Sequence, residues 1–336
     1  MAQSMIEIRD LKKYFEIPGK GQLHAVDGIS LSIREGETVG LVGESGCGKS
    51  TVGNVIMRLL PATSGSVLFE GQDVLKAKGA ESMALHRQMQ IIFQDPYSSL
   101  NPKQTIRQIL SAAYQIHGLA DSREDREQKI RELLEMCGIE EYVLEKYPHE
   151  LDGGRRQLIG IARALSVEPK FIVCDEPVSS LDVSIQATII NLLKRLQKER
   201  NISYLFISHD LSVVRHISQT VVVMYLGQIV EIAETDELFS NPLHPYSIAL
   251  LSAIPKVTAR EQEKSIILKG DVTSPINPEP GCRFGKRCWM CDGSCQKTET
   301  QLVEAAPGHY VRCPRFAQTA RQRENYLRTQ EVQDEV

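Results

Sequence analysis

Short apolar runs of strand length recur along the chain, separated by longer segments of helical periodicity. Alternating apolar and polar residues at 6–9 and 31–33 predict half-buried strands of an antiparallel patch. Further apolar strands are predicted at Thr38–Val42, 171–174, 204–207 and 221–225. Strands that alternate with helices predict an α/β fold with a mainly parallel sheet and helices on its faces.

The helical pattern occupies two parts of the chain. Residues 51–60 predict a helix that Pro61 ends, followed by a turn at Ser64 and Gly65. Residues 96–165 predict a helical region with a helix start at Asn101 and Pro102. Apolar residues there recur on single helix faces: Ile106, Ile109, Leu110 and Ala113, then Ile130, Leu133, Leu134 and Cys137. Residues 273–280 read as a linker.

Composition bounds the class of protein. The chain has 336 residues, 42% of them hydrophobic, and a formal net charge of −4. This length predicts one large domain with an appendage, and the negative charge argues against nucleic acid as the main partner. We find no secretory signal, and the apolar run at 221–226 is far shorter than the ~20 residues that span a bilayer. We therefore expect a soluble chain that would work at a membrane only by docking onto another protein.

Residues 43–51 form a complete phosphate-binding loop, G-x-x-x-x-G-K-[ST]. The loop glycines would let backbone amides point at phosphates, and the next helix presents its positive end to the same charge. Lys49 adds a mobile cation, and the Ser50 hydroxyl would coordinate Mg²⁺. A dinucleotide-binding loop is excluded because Thr51 stands where a third glycine is needed. The predicted nucleotide-binding residues are Gly43, Glu44, Ser45, Gly46, Cys47, Gly48, Lys49, Ser50 and Thr51.

Two carboxylates follow the apolar strand at 171–174. Asp175 would emerge at the carboxyl edge of the sheet, beside the phosphate loop, where it suits a water-mediated contact with Mg²⁺. Glu176 would be the base that polarises the attacking water. The pattern therefore predicts nucleotide hydrolysis rather than binding alone.

A third stretch, L-D-G-G-R-R-Q at 151–157, lies between these two motifs. Taken in order, the motifs resemble the ATP-binding-cassette (ABC) ATPases over residues 5–241. The resemblance implies their phosphate-loop fold, with an antiparallel β patch and a helical subdomain at about 96–165, within residues 1–240. Members of this family close face to face around two nucleotides. The residues expected to reach the nucleotide of the opposite subunit are Asp152, Gly153, Gly154 and Asp182.

The same resemblance implies roles for single residues. Gln94 looks like the hinge glutamine that senses metal and nucleophile and faces the transmembrane partner. His209, in S-H-D, looks like the switch histidine for the γ-phosphate. Phe15, with Tyr14 as the alternative, would stack on adenine. The expected catalytic set is then Glu176, His209 and Gln94, and the expected Mg²⁺ set is Ser50, Gln94 and Asp175.

The C-terminal part resembles the extension of oligopeptide and dipeptide importer ATPases, at 241–246, 250–255 and 281–288. In that subfamily four cysteines hold a [4Fe–4S] cluster. The matching residues, spaced C-x₅-C-x₆-C-x₁₇-C, are Cys282, Cys288, Cys295 and Cys313. Thiolates also bind Zn²⁺, and Cys288 with Cys291 forms a zinc-like pair, so spacing alone leaves zinc as an alternative. Cys291 is extra to the pattern, either a spare thiol or an alternative ligand.

One departure from the family pattern concerns the interface stretch, which usually reads L-S-G-G-Q. Asp152 stands in place of the serine and Arg155 in place of the glutamine. Aspartate caps a helix well, but it would bring a negative charge towards the γ-phosphate of the opposite subunit. Our hypothesis is that the composite site using Asp152 is impaired, whereas the site with Lys49 and Glu176 stays competent. Such asymmetry fits a heterodimer with a sister ATPase.

The resemblance implies the ATPase subunit of a bacterial dipeptide or oligopeptide importer. Its expected partners are a sister ATPase, two transmembrane permeases and, indirectly, an extracellular solute-binding protein, with no nucleic acid. We expect it at the cytoplasmic face of the membrane, with a C-terminal extension at 241–315 and a polar tail at 316–336. The alternatives are an importer of nickel or another small solute, a soluble cassette ATPase acting on ribosomes or DNA, and a non-enzymatic metal-binding regulator.

Overall fold

The computed structural model describes residues 4–254, 265–268, 270, 274–297 and 299–319. Two sheets organise them. Their strands are β1 (Ser4–Ile17), β2 (Gly21–Arg34), β3 (Thr38–Val42), β4 (Ser64–Phe69), β5 (Gln72–Asp73), β6 (Met89–Ile92), β7 (Phe171–Asp175), β8 (Ser203–Ser208), β9 (Thr220–Tyr225), β10 (Gln228–Glu234), β11 (Val303–Ala306) and β12 (His309–Val311).

The smaller sheet is antiparallel, in the order β2-β1-β4-β5, and the larger runs β11-β12-β10-β9-β3-β8-β7-β6. In the larger sheet, β9, β3, β8, β7 and β6 are parallel neighbours. The prediction of a mainly parallel sheet beside an antiparallel patch is thus confirmed. The patch is longer than predicted, because β1 and β2 each have 14 residues.

Helices cover the larger sheet. Their bounds are α1 (Lys49–Ile56), α2 (Gly79–Gln88), α3 (Pro96–Ser99), α4 (Ile106–His117), α5 (Arg123–Cys137), α6 (Gly153–Leu165), α7 (Val183–Arg200), α8 (Leu211–Ile217), α9 (Thr235–Ser240) and α10 (Pro245–Ser252). Short 3₁₀ turns lie at Glu141–Glu145, Pro148–Glu150, Ser294–Gln296 and Phe316–Gln318. Helices α3 to α6 form the predicted helical region.

The apolar runs of the central strands are continuous because both faces of the sheet are buried. Along β7, Ile172 and Cys174 contribute to the core under the helical region, whereas Phe171 and Val173 contribute to the core under the antiparallel sheet. Successive side chains of a strand point to opposite faces, so one apolar run serves two cores.

Two predicted boundaries near the phosphate loop are wrong. Helix α1 begins at Lys49 and ends at Ile56, not at 51–60, since the left-handed backbone of Arg58 (φ 59°) stops it before Pro61. The predicted turn at Ser64 and Gly65 is the start of β4, where Ser64 pairs with Lys12 of β1. Pairing with a distant strand, which local turn signals do not report, decides that segment.

The start of α4 also differs from the prediction at Asn101 and Pro102. Thr105 caps the helix in a reciprocal capping box: its hydroxyl accepts from the Gln108 amide, and the Gln108 side chain accepts from the Thr105 amide at 2.9 Å. These two hydrogen bonds satisfy orphan donors at the helix end, so the helix begins at Ile106.

The C-terminal residues pack against the rest of the chain and form part of its large sheet. Strand β12 pairs with β10, which extends the large sheet. The fully buried Glu231 carboxylate on β10 accepts from the His244 amide at 2.9 Å and contacts His309 Nε2 of β12 at 2.8 Å. The predicted linker also packs, because the Pro275 carbonyl accepts from the His24 amide at 3.0 Å. The extension therefore reaches the edge of the nucleotide-binding half.

Candidate functional site

The glycine-rich loop between β3 and α1 takes backbone conformations that only glycine adopts easily. Gly43, Gly46 and Gly48 have φ values of 153°, 78° and 108°. A Cβ at Gly43 would lie 2.2 Å from the Met224 carbonyl oxygen, and one at Gly48 would lie 2.0 Å from that of Ala25. Neighbouring backbone thus leaves no room for side chains at these two positions, and the loop curls as a phosphate cradle must.

Lys49 is the first residue of α1, and its side chain reaches back across this loop. Its ammonium group donates to the carbonyl oxygens of Gly43, at 2.8 Å, and of Glu44, at 3.0 Å. The Lys49 side chain is buried, and the buried Cys47 sulfur lies 3.8 Å from its nitrogen. A cation held against the loop's own carbonyls at this depth is placed to meet a bound phosphate.

Ser50 and Asp175 come together although 125 positions separate them. The Ser50 hydroxyl donates to Asp175 Oδ1 at 2.8 Å, at the carboxyl end of β7. Burial raises the pKa of the Asp175 carboxyl, the Ser50 hydrogen bond opposes that rise, and the adjacent Glu176 adds to it. A hydroxyl oxygen and a carboxylate oxygen are ligands of the type that Mg²⁺ prefers. A cation here would also stabilise the charged form of the carboxylate, which burial disfavours. The residues therefore fit the predicted Mg²⁺.

Glu176 is held in a strained backbone conformation, with φ 46°. Its amide donates to the Ile207 carbonyl of β8 at 3.0 Å, which ties it to the neighbouring strand. Gln94 Nε2 donates to Glu176 Oε2 at 2.9 Å, and His209 Nδ1 lies 3.3 Å from Oε1. The structure thus brings all three predicted catalytic residues together on one carboxylate.

A cavity of about 580 Å³ opens over these groups. Its lining includes the loop residues Ser45, Gly46, Cys47, Gly48, Lys49, Ser50 and Thr51, together with Gln94, Glu176 and His209. That volume is in the range of nucleotide-sized ligand pockets. One continuous pocket therefore joins the phosphate loop to the residues that would activate the attacking water.

The other end of the cavity has apolar and aromatic walls. Phe15 lines it, whereas Tyr14 stacks on His24, with ring centroids 3.9 Å apart, and donates its hydroxyl to Asp27. This geometry favours Phe15 for stacking on a base. The lining also includes His24 and Pro275, which the sequence analysis missed. No local signal marks them, since the β1–β2 register and the return of the C-terminal segment bring them there.

The interface stretch at 151–157 lies at the start of α6. Asp152 caps this helix by accepting from the Arg155 amide at 2.8 Å, and the Arg155 guanidinium lies 3.4 Å from the same carboxylate. The two departures from the family pattern are therefore partners. A Cβ at Gly154 would lie 2.7 Å from the Ile185 side chain of α7, whereas one at Gly153 would lie 3.5 Å from the Leu181 side chain, an ordinary van der Waals distance.

Asp182 likewise caps a helix, α7, by accepting from the Ser184 and Ile185 amides at 3.1 Å each. Asp152 and Asp182 are both exposed, and neither is among the described residues that line the cavity.

The five C-terminal cysteines all lie among the described residues. The Cys282 amide donates to the Cys295 carbonyl at 2.8 Å. Burial raises the pKa of the Cys288 thiol to about 12 and that of Cys313 to about 11, and the nearby Cys282 thiol adds to both rises. Across the part of the chain that the structure describes, no three His, Cys, Asp or Glu side chains form a metal-holding group. The predicted iron–sulfur cluster therefore receives no support from this geometry.

Comparison with known proteins agrees with the nucleotide site. A family model described as ABC transporter matches residues 26–179, and one described as oligopeptide/dipeptide transporter, C-terminal region, matches residues 230–295. The putative oligopeptide transport ATP-binding protein YkfD of Bacillus subtilis is 50% identical over 92% of this chain and 94% of its own length. The oligopeptide transport ATP-binding protein AppF of the same species is 48% identical over 93% and 97%.

A solved structure shares the fold. The dimeric ATP-binding cassette MJ0796, bound to ADP and phosphate, superposes with a TM-score of 0.62 and 28% identity. The match covers 69% of this chain and 99% of that one. Among the helices that the structure describes, none combines the length and apolar character needed to cross a membrane.

Replacement of Glu176 by Gln tests its assignment as the base. The amide keeps a hydrogen-bonding side chain between Gln94 and His209 but cannot take a proton from water. We expect ATP hydrolysis to fall by a factor of about 10² or more, while ATP binding stays within a few-fold of the native value. Phosphate release and calorimetric titration with ATP measure the two quantities. Retention of native turnover would show that another group acts as the base.

Proposed function

This chain belongs to the ABC transporter ATPases, as an ATP-hydrolysing subunit of the oligopeptide and dipeptide import type, and we propose that it powers peptide uptake through two transmembrane permease subunits. The observation that carries the proposal is the Glu176 carboxylate, held between Gln94 and His209 beside the Ser50–Asp175 pair. Relatives with 46–50% identity are named for oligopeptide or peptide transport or import, which favours peptides over nickel as the solute class.

In this function each site residue has a defined task. The loop amides and Lys49 bind the β- and γ-phosphates of ATP, and Phe15 stacks on the adenine. Mg²⁺, which Ser50 and Asp175 would hold with Gln94 nearby, supplies positive charge that neutralises the phosphate oxygens. Glu176 orients the attacking water and accepts its proton, while His209 interacts with the γ-phosphate.

The proposed organisation is an ATPase domain at 1–240 with its helical subdomain at 96–165, an extension at 241–315 and a polar tail at 316–336. Most of that tail, 320–336, lies outside the described residues. We place the chain at the cytoplasmic face of the membrane, with Gln94 near the permease contact. The family match of the C-terminal region to peptide transporters supports this over a soluble cassette acting on ribosomes or DNA.

Assembly with the membrane subunits tests the transport role. When this chain is produced with two permeases, a sister ATPase and a solute-binding protein from the same organism, we expect it to co-purify with the permeases. ATP turnover of the complex in vesicles should rise with a peptide substrate, since closure of the ATPase pair is coupled to the permeases. The complex that carries Glu176→Gln is the control, since it should assemble with the permeases but hydrolyse ATP far more slowly. An active chain that never associates with permeases would favour the soluble cassette.

The composite site that uses Asp152 is the half of the proposed heterodimer that departs from the family pattern. The exposed Asp152 carboxylate would face a phosphate across the interface, but its contact with Arg155 offsets part of that charge. We propose that the sister ATPase supplies an intact L-S-G-G-Q stretch to the Lys49 site, and that the site served by Asp152 turns over slowly.

Variants at the two departing positions separate these charges. In the assembled heterodimer, Asp152→Ser should raise ATP turnover about two- to tenfold because the repulsive charge is removed. Arg155→Gln alone should lower it, since Asp152 then loses its compensating partner. The double variant, which restores the family pattern, should resemble Asp152→Ser. Equal turnover and equal ATP affinity in all four proteins would rule out a charge effect at this position.

We also propose, on the family resemblance, that the cysteine-rich extension binds a metal, with [4Fe–4S] favoured and Zn²⁺ the alternative. The support for this proposal is the match of residues 230–295 to the C-terminal region of oligopeptide/dipeptide transporters, a range that includes Cys282, Cys288 and Cys295. Binding would need the thiols to rearrange and lose their protons, which metals readily induce.

Purification without oxygen decides between the metals. A cluster would give a brown protein with broad visible absorption, and Cys288→Ser should lose it while Cys291→Ser, outside the four-cysteine pattern, keeps it. Metal analysis gives the stoichiometry. A colourless protein with one zinc per chain would show that the site binds zinc and not a cluster, and a metal-free protein would contradict the proposal.

A further inference from the structure

The phosphate loop is held from outside by the C-terminal extension. Glu44, the second residue of the loop, receives two hydrogen bonds from Arg287: Nη1 donates to Oε2 at 2.8 Å and Nη2 to Oε1 at 3.2 Å. The two residues are 243 positions apart in the chain. This parallel, two-pronged geometry is the most directional ion pair that arginine forms with a carboxylate.

Arg287 is itself firmly placed. Its side chain is only 9% exposed, and Nη1 also approaches the Tyr225 hydroxyl at 3.4 Å. The turn that carries it is anchored by Phe284, a buried ring in edge contact with Tyr225 and tilted against Tyr246. The Arg287 Nε atom has no partner among the described residues. Glu44 therefore provides most of the compensation for burying this guanidinium.

The backbone of Glu44 is also fixed by hydrogen bonds. Its amide donates to the Tyr246 hydroxyl of α10 at 2.8 Å, so this N–H already has a partner within the protein. Its carbonyl oxygen accepts from Lys49 at 3.0 Å. A continuous path of contacts thus runs from Arg287 in the extension, through Glu44, to the lysine that meets the phosphates.

We propose that Arg287 is a positioning residue for ATP binding: it neutralises Glu44 and, together with the Tyr246 hydroxyl, holds the start of the phosphate loop in the conformation that receives the triphosphate. The inference rests on the proposed function, because it assumes that ATP binds at this loop. It assigns the extension a direct part in nucleotide binding, separate from any role in metal binding.

Two physical effects should follow from loss of Arg287. The Glu44 carboxylate would be left unpaired in the loop that binds a highly charged triphosphate, and the like charges would repel. The loop would also lose its outer restraint, which frees the Glu44 carbonyl and its contact with Lys49. Both effects weaken ATP binding, whereas the contacts of Glu176 with Gln94 and His209 remain.

The test measures KM and kcat for ATP in the assembled transporter. We expect Arg287→Ala to raise KM about tenfold with kcat changed less than about twofold, since a pair in one network typically couples by this amount. Glu44→Gln/Arg287→Ala should regain most of the lost affinity, because it removes the unpaired carboxylate. Lys286→Ala is the matched control: the neighbouring cation is half-exposed, pairs with Glu279 at 2.8 Å and should leave KM unchanged.

The outcomes separate this inference from the function on which it rests. Absence of ATP turnover in the native complex would contradict the proposed function itself. Native turnover with an unchanged KM in Arg287→Ala, or an equal rise in Lys286→Ala, would overturn the positioning role. If Arg287→Ala loses its circular dichroism spectrum, Arg287→Lys replaces it: a KM raised about threefold supports the two-pronged pair, and a native KM contradicts it.

Discussion

The parallel register of β3, β8 and β7 is the constraint on which the site depends. Val42 lies beside Ser208, and Asp175 lies beside Ile207, so the three strands end level with one another. The functional groups therefore meet at one sheet edge: the phosphate loop follows β3, His209 follows β8, Asp175 ends β7 and Glu176 follows it. A shift of one residue in any strand would turn its terminal side chains to the other face.

Hydrogen bonding at that edge then arranges the groups for phosphate chemistry. Lys49 is kept against the loop by carbonyl acceptors, and Ser50 is kept against Asp175. Glu176 has a strained φ of 46°, and its amide donates to the Ile207 carbonyl. Strain of this kind persists only where surrounding contacts determine it, and it aims the carboxylate between Gln94 and His209.

The extension contributes to the same site from the opposite direction. It extends the large sheet through β12, and its Pro275 lines the cavity. Its Arg287 forms an ion pair with Glu44 of the phosphate loop. Removal of the extension would therefore weaken the nucleotide site as well as the edge of the large sheet. This contact network gives a physical reason for the C-terminal region to stay joined to an ATPase domain.

The sequence by itself determined that the chain is an ABC-type ATPase, because the phosphate loop, Glu176 and His209 lie in motifs of contiguous residues whose residue types admit few other uses. It also determined the buried strands, whose apolar runs reflect burial on both faces. Tertiary structure alone decided the limits of α1, the pairing of Ser64, the wall formed by His24 and Pro275, and the contact of Arg287 with Glu44. These features depend on contacts between residues far apart in the chain, which local periodicity and spacing do not encode.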